Sequence, residues 1–238
     1  MTFKKPINWI FIFGFYIIAF VLSLPFNSGY FSEQFNTITK DTVFYGIAFL
    51  PACLGTTIAA LLAYKFDKST HRTITFWGSN KIQNTVITFV PLLIFTLSGL
   101  PNDLHLNPHN YAFVISIIIL IYSFGEEVFW RGYMINALEP LSKISGILLL
   151  GILWWAWHFP FTSTFGFTTF LPIVLVSSFL IGKFVESTKS FLTAASIHSF
   201  VVIMNVAQNS QRALITGGIT VLVWLAIGKL WKPKIEQQ

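Results

Sequence analysis

The residues in this chain that could do chemistry are ionisable side chains within stretches that are otherwise apolar. Glu126, Glu127 and Arg131 stand in one such stretch, His158 in the next and His198 in a third. A titratable group is expensive to bury in an apolar helix, so it is normally retained for a function. Carboxylates and imidazoles both move protons near neutral pH, which indicates hydrolysis or proton transfer.

The two glutamates are spaced so that one is neutralised and the other is not. Glu127 and Arg131 are four residues apart with the acid first, the favourable order for an ion pair on a helix. Glu126 then lies about 100° around the helix as an unpaired carboxylate. Such a carboxylate can serve as a general base near neutral pH. A plain charge cluster at a helix end is the alternative interpretation.

The predicted depths of His158 and His198 within their helices indicate that they share a site with Glu126. A lone histidine in an apolar helix is often only a hydrogen-bonded core residue. However, at ~1.5 Å per residue, Glu126, His158 and His198 lie roughly 18, 20 and 11 Å from the predicted cytoplasmic helix ends. Similar depths favour one shared polar site. The remaining histidines are in loops and are expected to be solvated: His71, His105 and His109.

Transmembrane helices are the elements that must position these groups. Hydrophobic residues make up 54% of the chain and charged residues 10%, with a mean hydropathy of +0.69. Soluble domains have roughly a quarter of their residues charged. We therefore expect an all-α polytopic membrane protein of about eight transmembrane helices, with residues 1–238 as a single transmembrane domain. The predicted runs are Trp9–Phe26, Phe44–Tyr64, Ile82–Leu100, Tyr111–Met134, Ser145–Phe161, Thr168–Val185, Phe191–Ala207 and Ala213–Leu230.

The fifth and sixth runs allow two interpretations, because the polar break between them is only Thr162–Phe167. A re-entrant pair is the alternative there. The sequence shows no internal repeat and no low-complexity tract.

Basic residues predict the orientation of the helices. With a cytoplasmic N-terminus, only Lys40 and Arg212 fall in outside segments, which fits the positive-inside rule. We therefore expect both termini in the cytoplasm of a multi-pass cell-membrane protein. The net charge of +6 is spread between the runs, so nucleic acid is not an expected partner. The inside residues are Lys4, Lys5, Lys65, Lys68, Arg72, Lys81, Lys143, Lys183, Lys189, Lys229, Lys232 and Lys234.

Several protease classes are excluded because their motifs are absent. The chain has no His-Glu-x-x-His helix and no Gly-x-Ser-x-Gly elbow. No aspartate stands in an apolar run, which excludes a paired-aspartate intramembrane protease. Cys53 is the only cysteine, so the chain has neither an internal disulfide nor a cysteine cluster.

The order of the polar residues resembles the CAAX protease and bacteriocin-processing family of intramembrane endopeptidases (CPBP, or Abi). The family's first motif is matched by Glu126-Glu127-x-x-x-Arg131, its second by Trp154-x-x-x-His158, and its third begins at His198. The motif-bearing helices lie within about residues 111–207. Two positions depart from the family: Trp154 stands where Phe is usual, and Val202 where Asn is usual.

The resemblance implies an intramembrane endopeptidase that cleaves a peptide or membrane-protein substrate. Glu126 would activate the attacking water, and Glu127 and Arg131 would support it. His158 and His198 would polarise the scissile carbonyl, stabilise the oxyanion or bind a metal. Members of the family have been described both as metalloproteases and as metal-free glutamate proteases.

The cofactor and the supporting residues therefore stay open at this point. Glu126, His158 and His198 are enough for a catalytic zinc with an open position, and equally for a metal-free base and oxyanion site. Trp154 would supply an aromatic wall. Asn205, seven residues after His198, returns to the same helix face and is a candidate to replace the missing Asn.

Two other functions fit the same residues. A non-catalytic protein of the same fold, such as a bacteriocin immunity or peptide-binding protein, is favoured by the missing Asn after His198. A proton-coupled transporter would use Glu126 and the histidines as a relay. Transporters usually show internal repeats or broken helix pairs, and this sequence shows neither.

Overall fold

The computed structural model describes residues 6–207 and 211–230, and these residues form helices and connecting loops. The part of the orientation prediction that rests on Lys4, Lys5, Lys232 and Lys234 lies outside them. The helices of eight or more residues in the described ranges are α1 (Trp9–Asn27), α2 (Ser32–Thr39), α3 (Cys53–Phe66), α4 (Lys81–Ser98), α5 (Pro108–Phe129), α6 (Lys143–Trp157), α7 (Leu171–Thr188), α8 (Phe191–Val206) and α9 (Gln211–Leu230).

Short turns of other helix types extend some of these helices. The π-helical turn Trp130–Met134 and the α-helical turn Ile135–Ala137 continue α5, and the π-helical turn Gly166–Phe170 leads into α7. Two 3₁₀ turns, Leu50–Ala52 and Pro160–Thr162, precede α3 and follow α6. The prediction of an all-α protein is confirmed.

Each predicted apolar run contains a helix, with shifts at the ends. The run Phe44–Tyr64 becomes helical only at Leu50, because Gly46 has a left-handed backbone (φ 78°) and Pro51 suits the first turn of a helix. The α2 helix was not predicted, since its sequence is polar and too short for a span.

Five helical segments are long and apolar enough to cross a membrane: Trp9–Asn27, Lys81–Ser98, Pro108–Ala137, Gly166–Thr188 and Gln211–Lys229. Three shorter apolar helices, Leu50–Phe66, Lys143–Trp157 and Phe191–Val206, coincide with the other predicted runs. His198 lies within the last of these three helices, and His158 directly follows Lys143–Trp157. Together these segments indicate a multi-pass membrane protein.

The outer surface of the bundle supports a lipid environment. Large apolar side chains on different helices stand well exposed, including Ile10 (83%), Leu97 (77%) and Leu222 (66%). A soluble monomer rarely exposes contiguous apolar surface on this scale. Lipid chains would cover it without a hydrophobic penalty.

The central helix of the bundle is α5. Of the residues in its spanning window 61% are buried, against 22–39% in the other four long segments. Its neighbours are α3, α4 and α8. Polar groups on α5 are therefore enclosed by protein, where ionisable residues of membrane proteins usually lie.

The α3 helix approaches α5 closely at Gly125, one residue before Glu126. A Cβ at Gly125 would lie 2.9 Å from the Thr57 hydroxyl and 3.0 Å from Cβ of Cys53, so a larger residue would push the helices apart. The hydroxyls of Thr56 and Thr57 donate to the Gly125 carbonyl at 2.9 and 3.1 Å. These contacts fix the height of Glu126 against α3.

The loop after α3 is tied to the end of α5 through Asp67. The buried Asp67 carboxylate accepts hydrogen bonds from the hydroxyls of Ser69, Thr70 and Tyr133. Burial raises the pKa of Asp67, but these hydrogen bonds outweigh it and hold the pKa below its ordinary value of 3.8. Tyr133 belongs to the same π-helical turn as Arg131, so the network also anchors that turn.

We expect Asp67→Asn to lower the melting temperature of the detergent-solubilised protein at pH 7 by about 5 °C, because it weakens several hydrogen bonds to a charged group. Since the pKa is lowered in the folded state, the contribution of Asp67 is present above about pH 4 and is lost as the pH falls through the folded pKa. The difference between the variant and the wild type should therefore shrink at pH 3. Asp103→Asn, at an exposed loop position, is the control. An equal loss in both variants would contradict the anchoring role.

Candidate active site

Three helices bring the predicted polar residues together, and each begins with a side-chain cap. Asn107 caps α5 by accepting from the His109 and Asn110 amides, Ser142 caps α6, and Ser190 caps α8. Caps of this kind satisfy amides that have no partner within the helix. The register of all three motif-bearing helices is thus fixed at their first residues.

The predicted ion pair between Glu127 and Arg131 forms, and a third residue joins it. The Arg131 Nη1 donates to Glu127 Oε1 at 3.0 Å, and both side chains are fully buried. Nδ1 of His198 lies 3.0 Å from the same oxygen. A carboxylate can only accept, so His198 donates through Nδ1 and presents Nε2 to the site.

Glu126 lies outside this ion pair and has a different partner. Its Oε2 accepts a hydrogen bond of 2.8 Å from the indole Nε1 of Trp154. Its Oε1 is buried and makes no hydrogen bond with the described part of the protein. The hydroxyl of Tyr122, one turn earlier on α5, interacts with the same carboxylate. Glu126 therefore keeps one oxygen available for a reacting molecule.

His158 stands at the end of α6, where the helix stops. Its Nδ1 lies 2.8 Å from the Trp154 carbonyl, which can only accept, so Nδ1 carries the proton and Nε2 is left for the site. The next residue, Phe159, has a left-handed backbone with φ 53°. That conformation is unusual for a bulky residue and is found mainly where the surrounding structure requires it.

Trp154 contacts Glu126 and three further residues of the site. Its ring lies 5.7 Å from the ring of His158 and 5.1 Å from that of His198. The Arg131 guanidinium lies over its face at 4.5 Å. The sequence predicted an aromatic wall here, and the structure adds a hydrogen-bond donor within it.

The arrangement does not form a ready metal site. Within residues 6–207 and 211–230, no three or more His, Cys, Asp and Glu side chains are placed to hold a metal ion together. Glu126 keeps Oε1 and each histidine keeps Nε2, which are donor atoms of the kind that zinc binds. In the described residues, however, these three side chains are not placed to bind one ion together, so we derive no step through a metal.

The other predicted residues lie apart from this cluster. Asn205 is exposed near the end of α8, and in the described part of the chain no hydrogen bond joins it to Glu126, His158 or His198. Its supporting role stays a prediction. His71, His105 and His109 are exposed, as expected. The expectation that all three lie in loops is wrong for His109, which belongs to the first turn of α5 because Asn107 caps the helix just before it.

Sequence reasoning missed one contact and one residue of the site. The contact between Glu127 and His198 depends on which way the α8 helix faces, which depth alone does not give. Tyr122 could have been found, because it lies four residues before Glu126 and so on the same face of α5.

Comparison with protein families gives a match over part of the chain, whereas comparison with curated proteins gives none. The family is described as type II CAAX prenyl endopeptidase Rce1-like, and its model matches residues 107–204. That segment contains all three motifs, from Glu126 to His198. The resemblance to the CAAX protease and bacteriocin-processing family is therefore confirmed over residues 107–204, the segment that is similar to Rce1-like proteins.

Proposed function

We propose that this protein is an intramembrane endopeptidase that hydrolyses peptide bonds of a peptide or membrane-protein substrate with a water activated by Glu126. The observation that carries the proposal is the state of that carboxylate. It is fully buried, one of its oxygens accepts a hydrogen bond from Trp154, and its other oxygen makes no hydrogen bond in the described part of the protein. The Trp154 ring that holds it also contacts the rings of His158 and His198. The family match supports the proposal that the protein is a protease.

The first step is attack by water. Glu126 Oε1 takes a proton from a water molecule while the water oxygen forms a bond to the scissile carbonyl carbon. His158 accepts a second hydrogen bond from that water through Nε2, because its Nδ1 proton is committed to the Trp154 carbonyl. The carbonyl π electrons move to oxygen, which becomes an oxyanion.

The oxyanion is stabilised by His198 in its protonated form. With Nδ1 donating to Glu127, only a protonated ring can also donate through Nε2. The charges then balance, because Arg131 and His198 oppose Glu127 and the oxyanion once Glu126 has taken the proton of the water. A fixed donor in a site of low dielectric stabilises a developing charge strongly.

The last step returns Glu126 to its starting state. The protonated carboxyl gives its proton to the amide nitrogen, the carbon–nitrogen bond breaks, and the oxyanion electrons re-form the carbonyl. The products are a new carboxyl terminus and a new amine. No oxidant, reductant or other co-reactant is needed.

The proposal is tested with purified protein in detergent and a panel of three peptides. Because the matched family is named for prenylated CAAX substrates, the panel contains a farnesylated peptide ending in a CAAX sequence, the same peptide without the farnesyl group, and an apolar transmembrane peptide. Cleavage of at least one, read by mass spectrometry, is the expected result. Absence of cleavage with every peptide would favour the non-catalytic alternative.

That alternative, a peptide-binding or immunity protein of the same fold, is favoured by one observation. Asn205 is exposed and Val202 packs among apolar residues, so neither gives the site a second neutral donor. In that case the panel peptides would bind without being cut. Binding without turnover therefore separates the two functions.

We further propose eight membrane spans with both termini in the cytoplasm, on the basis of the basic residues. In a Cys53→Ser background, Lys68→Cys should be labelled by an impermeant maleimide only after the membrane is opened. Asp103→Cys, in the loop before α5, should be labelled in intact cells. Both positions are exposed, so accessibility alone does not distinguish them. The reverse pattern would overturn the proposed orientation.

A further inference from the structure

Three tryptophans near the end of α6 differ in what their indole groups hold. Trp155 donates to the Gly166 carbonyl at 2.8 Å, and Trp157 donates to the Ala19 carbonyl at 3.4 Å. Trp154 donates to the Glu126 carboxylate at 2.8 Å. Among the three, Trp154 alone has a side-chain acceptor that could be charged, and that acceptor is the proposed general base.

The Trp154 ring is itself held in place. It is buried, the Arg131 guanidinium covers its face at 4.5 Å, and the ring of His198 meets it edge to face. A ring fixed on several sides has little freedom to turn. Its N–H therefore points at a fixed place within the site.

A glutamate side chain has three rotatable bonds and needs such a fixed partner. Glu127, its neighbour on the helix, is already bonded to Arg131 and His198. The Tyr122 hydroxyl also interacts with the Glu126 carboxylate, and the 2.8 Å hydrogen bond from the Trp154 indole determines that Oε2 is the engaged oxygen. Engaging Oε2 leaves Oε1 for the attacking water.

We propose that Trp154 is a positioning residue for Glu126, acting through its indole N–H and not only as an aromatic wall. This inference rests on the proposed function, in which Glu126 is the base. A misplacement of about 1 Å in a catalytic group can reduce turnover by about 100-fold. The N–H is therefore expected to matter for kcat more than for substrate binding.

The test compares two tryptophan-to-phenylalanine variants on the same helix. Trp154→Phe keeps an aromatic ring beside Arg131 and the histidines but removes the donor to Glu126. Trp155→Phe removes an indole hydrogen bond of equal length, whose acceptor is the backbone carbonyl of Gly166. With the cleaved peptide of the panel, Trp154→Phe should lower kcat by about 10- to 100-fold with KM unchanged. Trp155→Phe should leave kcat within about twofold.

A second measurement examines the hydrogen bond in the folded protein without relying on activity. Indole N–H signals are recorded by NMR on the protein in detergent, and the signal that disappears in Trp154→Phe is assigned to Trp154. In Glu126→Gln that signal should move upfield, because an amide oxygen is a weaker acceptor than a carboxylate. The signal of Trp155 should stay in place.

The outcomes separate the inference from the proposed function. Equal kcat in Trp154→Phe and the wild type, or an unmoved Trp154 signal in Glu126→Gln, would overturn the positioning role while cleavage by the wild type upheld the peptidase. If the wild type cleaves nothing, the proposed function fails. An upfield shift of the Trp154 signal in Glu126→Gln would then still support the hydrogen bond from Trp154 to Glu126.

Discussion

Glu126→Gln should reduce turnover by at least about 100-fold while the protein folds normally. A positioned general base contributes about 10²- to 10⁴-fold to a hydrolytic rate, and glutamine cannot accept the proton of the attacking water. The amide has the same shape and can still accept the hydrogen bond from Trp154. We therefore expect a melting temperature close to that of the wild type, read in the same detergent as the peptide assay.

A matched control for this variant is Glu186→Gln. Glu186 is an exposed glutamate near the end of α7, away from the site, and it pairs with Lys143 at the start of α6. Exposed ion pairs contribute little to stability, so this variant should keep both its turnover and its melting temperature. Full activity in Glu126→Gln would remove Glu126 from the mechanism.

Glu127→Gln should instead damage the fold. The substitution removes the carboxylate that pairs with both Arg131 and His198, and Arg131 has no exposed surface on which to find water. Removing one partner of a buried ion pair typically costs about 3–5 kcal/mol. For a chain of this size that corresponds to a fall of about 10 °C in melting temperature, with reduced yield of folded protein.

A second substitution separates charge from shape in this result. Glu127→Gln combined with Arg131→Leu removes both charges, and replacing a buried ion pair by uncharged residues is often close to neutral. The double variant should therefore recover part of the lost stability, although not turnover. If Glu127→Gln alone is as stable as Glu126→Gln, the assignment of the two carboxylates is wrong.

The helices could be predicted from the sequence because long apolar runs have few other ways to satisfy their backbone in lipid. The Glu127–Arg131 pair was also predictable, since a spacing of four residues brings side chains together on any helical turn. The ends were less predictable. Gly46 and Phe159 interrupt apolar sequence through backbone conformations that composition does not reveal.

The contacts between helices were beyond the reach of the sequence. Depth along each helix predicted that Glu126, His158 and His198 lie at similar heights, but not which way each side chain faces. The Glu127 carboxylate accepts hydrogen bonds from both Arg131 and His198, and Trp154 donates to Glu126. Both pairings depend on how α5, α6 and α8 pack against one another. Such pairings depend on rotation about the helix axes.

The most direct test of the central claim is the origin of the oxygen in the cleaved product. The peptide panel is incubated in water enriched in ¹⁸O, and the new carboxyl terminus is weighed by mass spectrometry. We predict one ¹⁸O atom in the new carboxyl group with the wild type and no such product with Glu126→Gln. Labelled product formed equally fast by Glu126→Gln would contradict a water activated by Glu126.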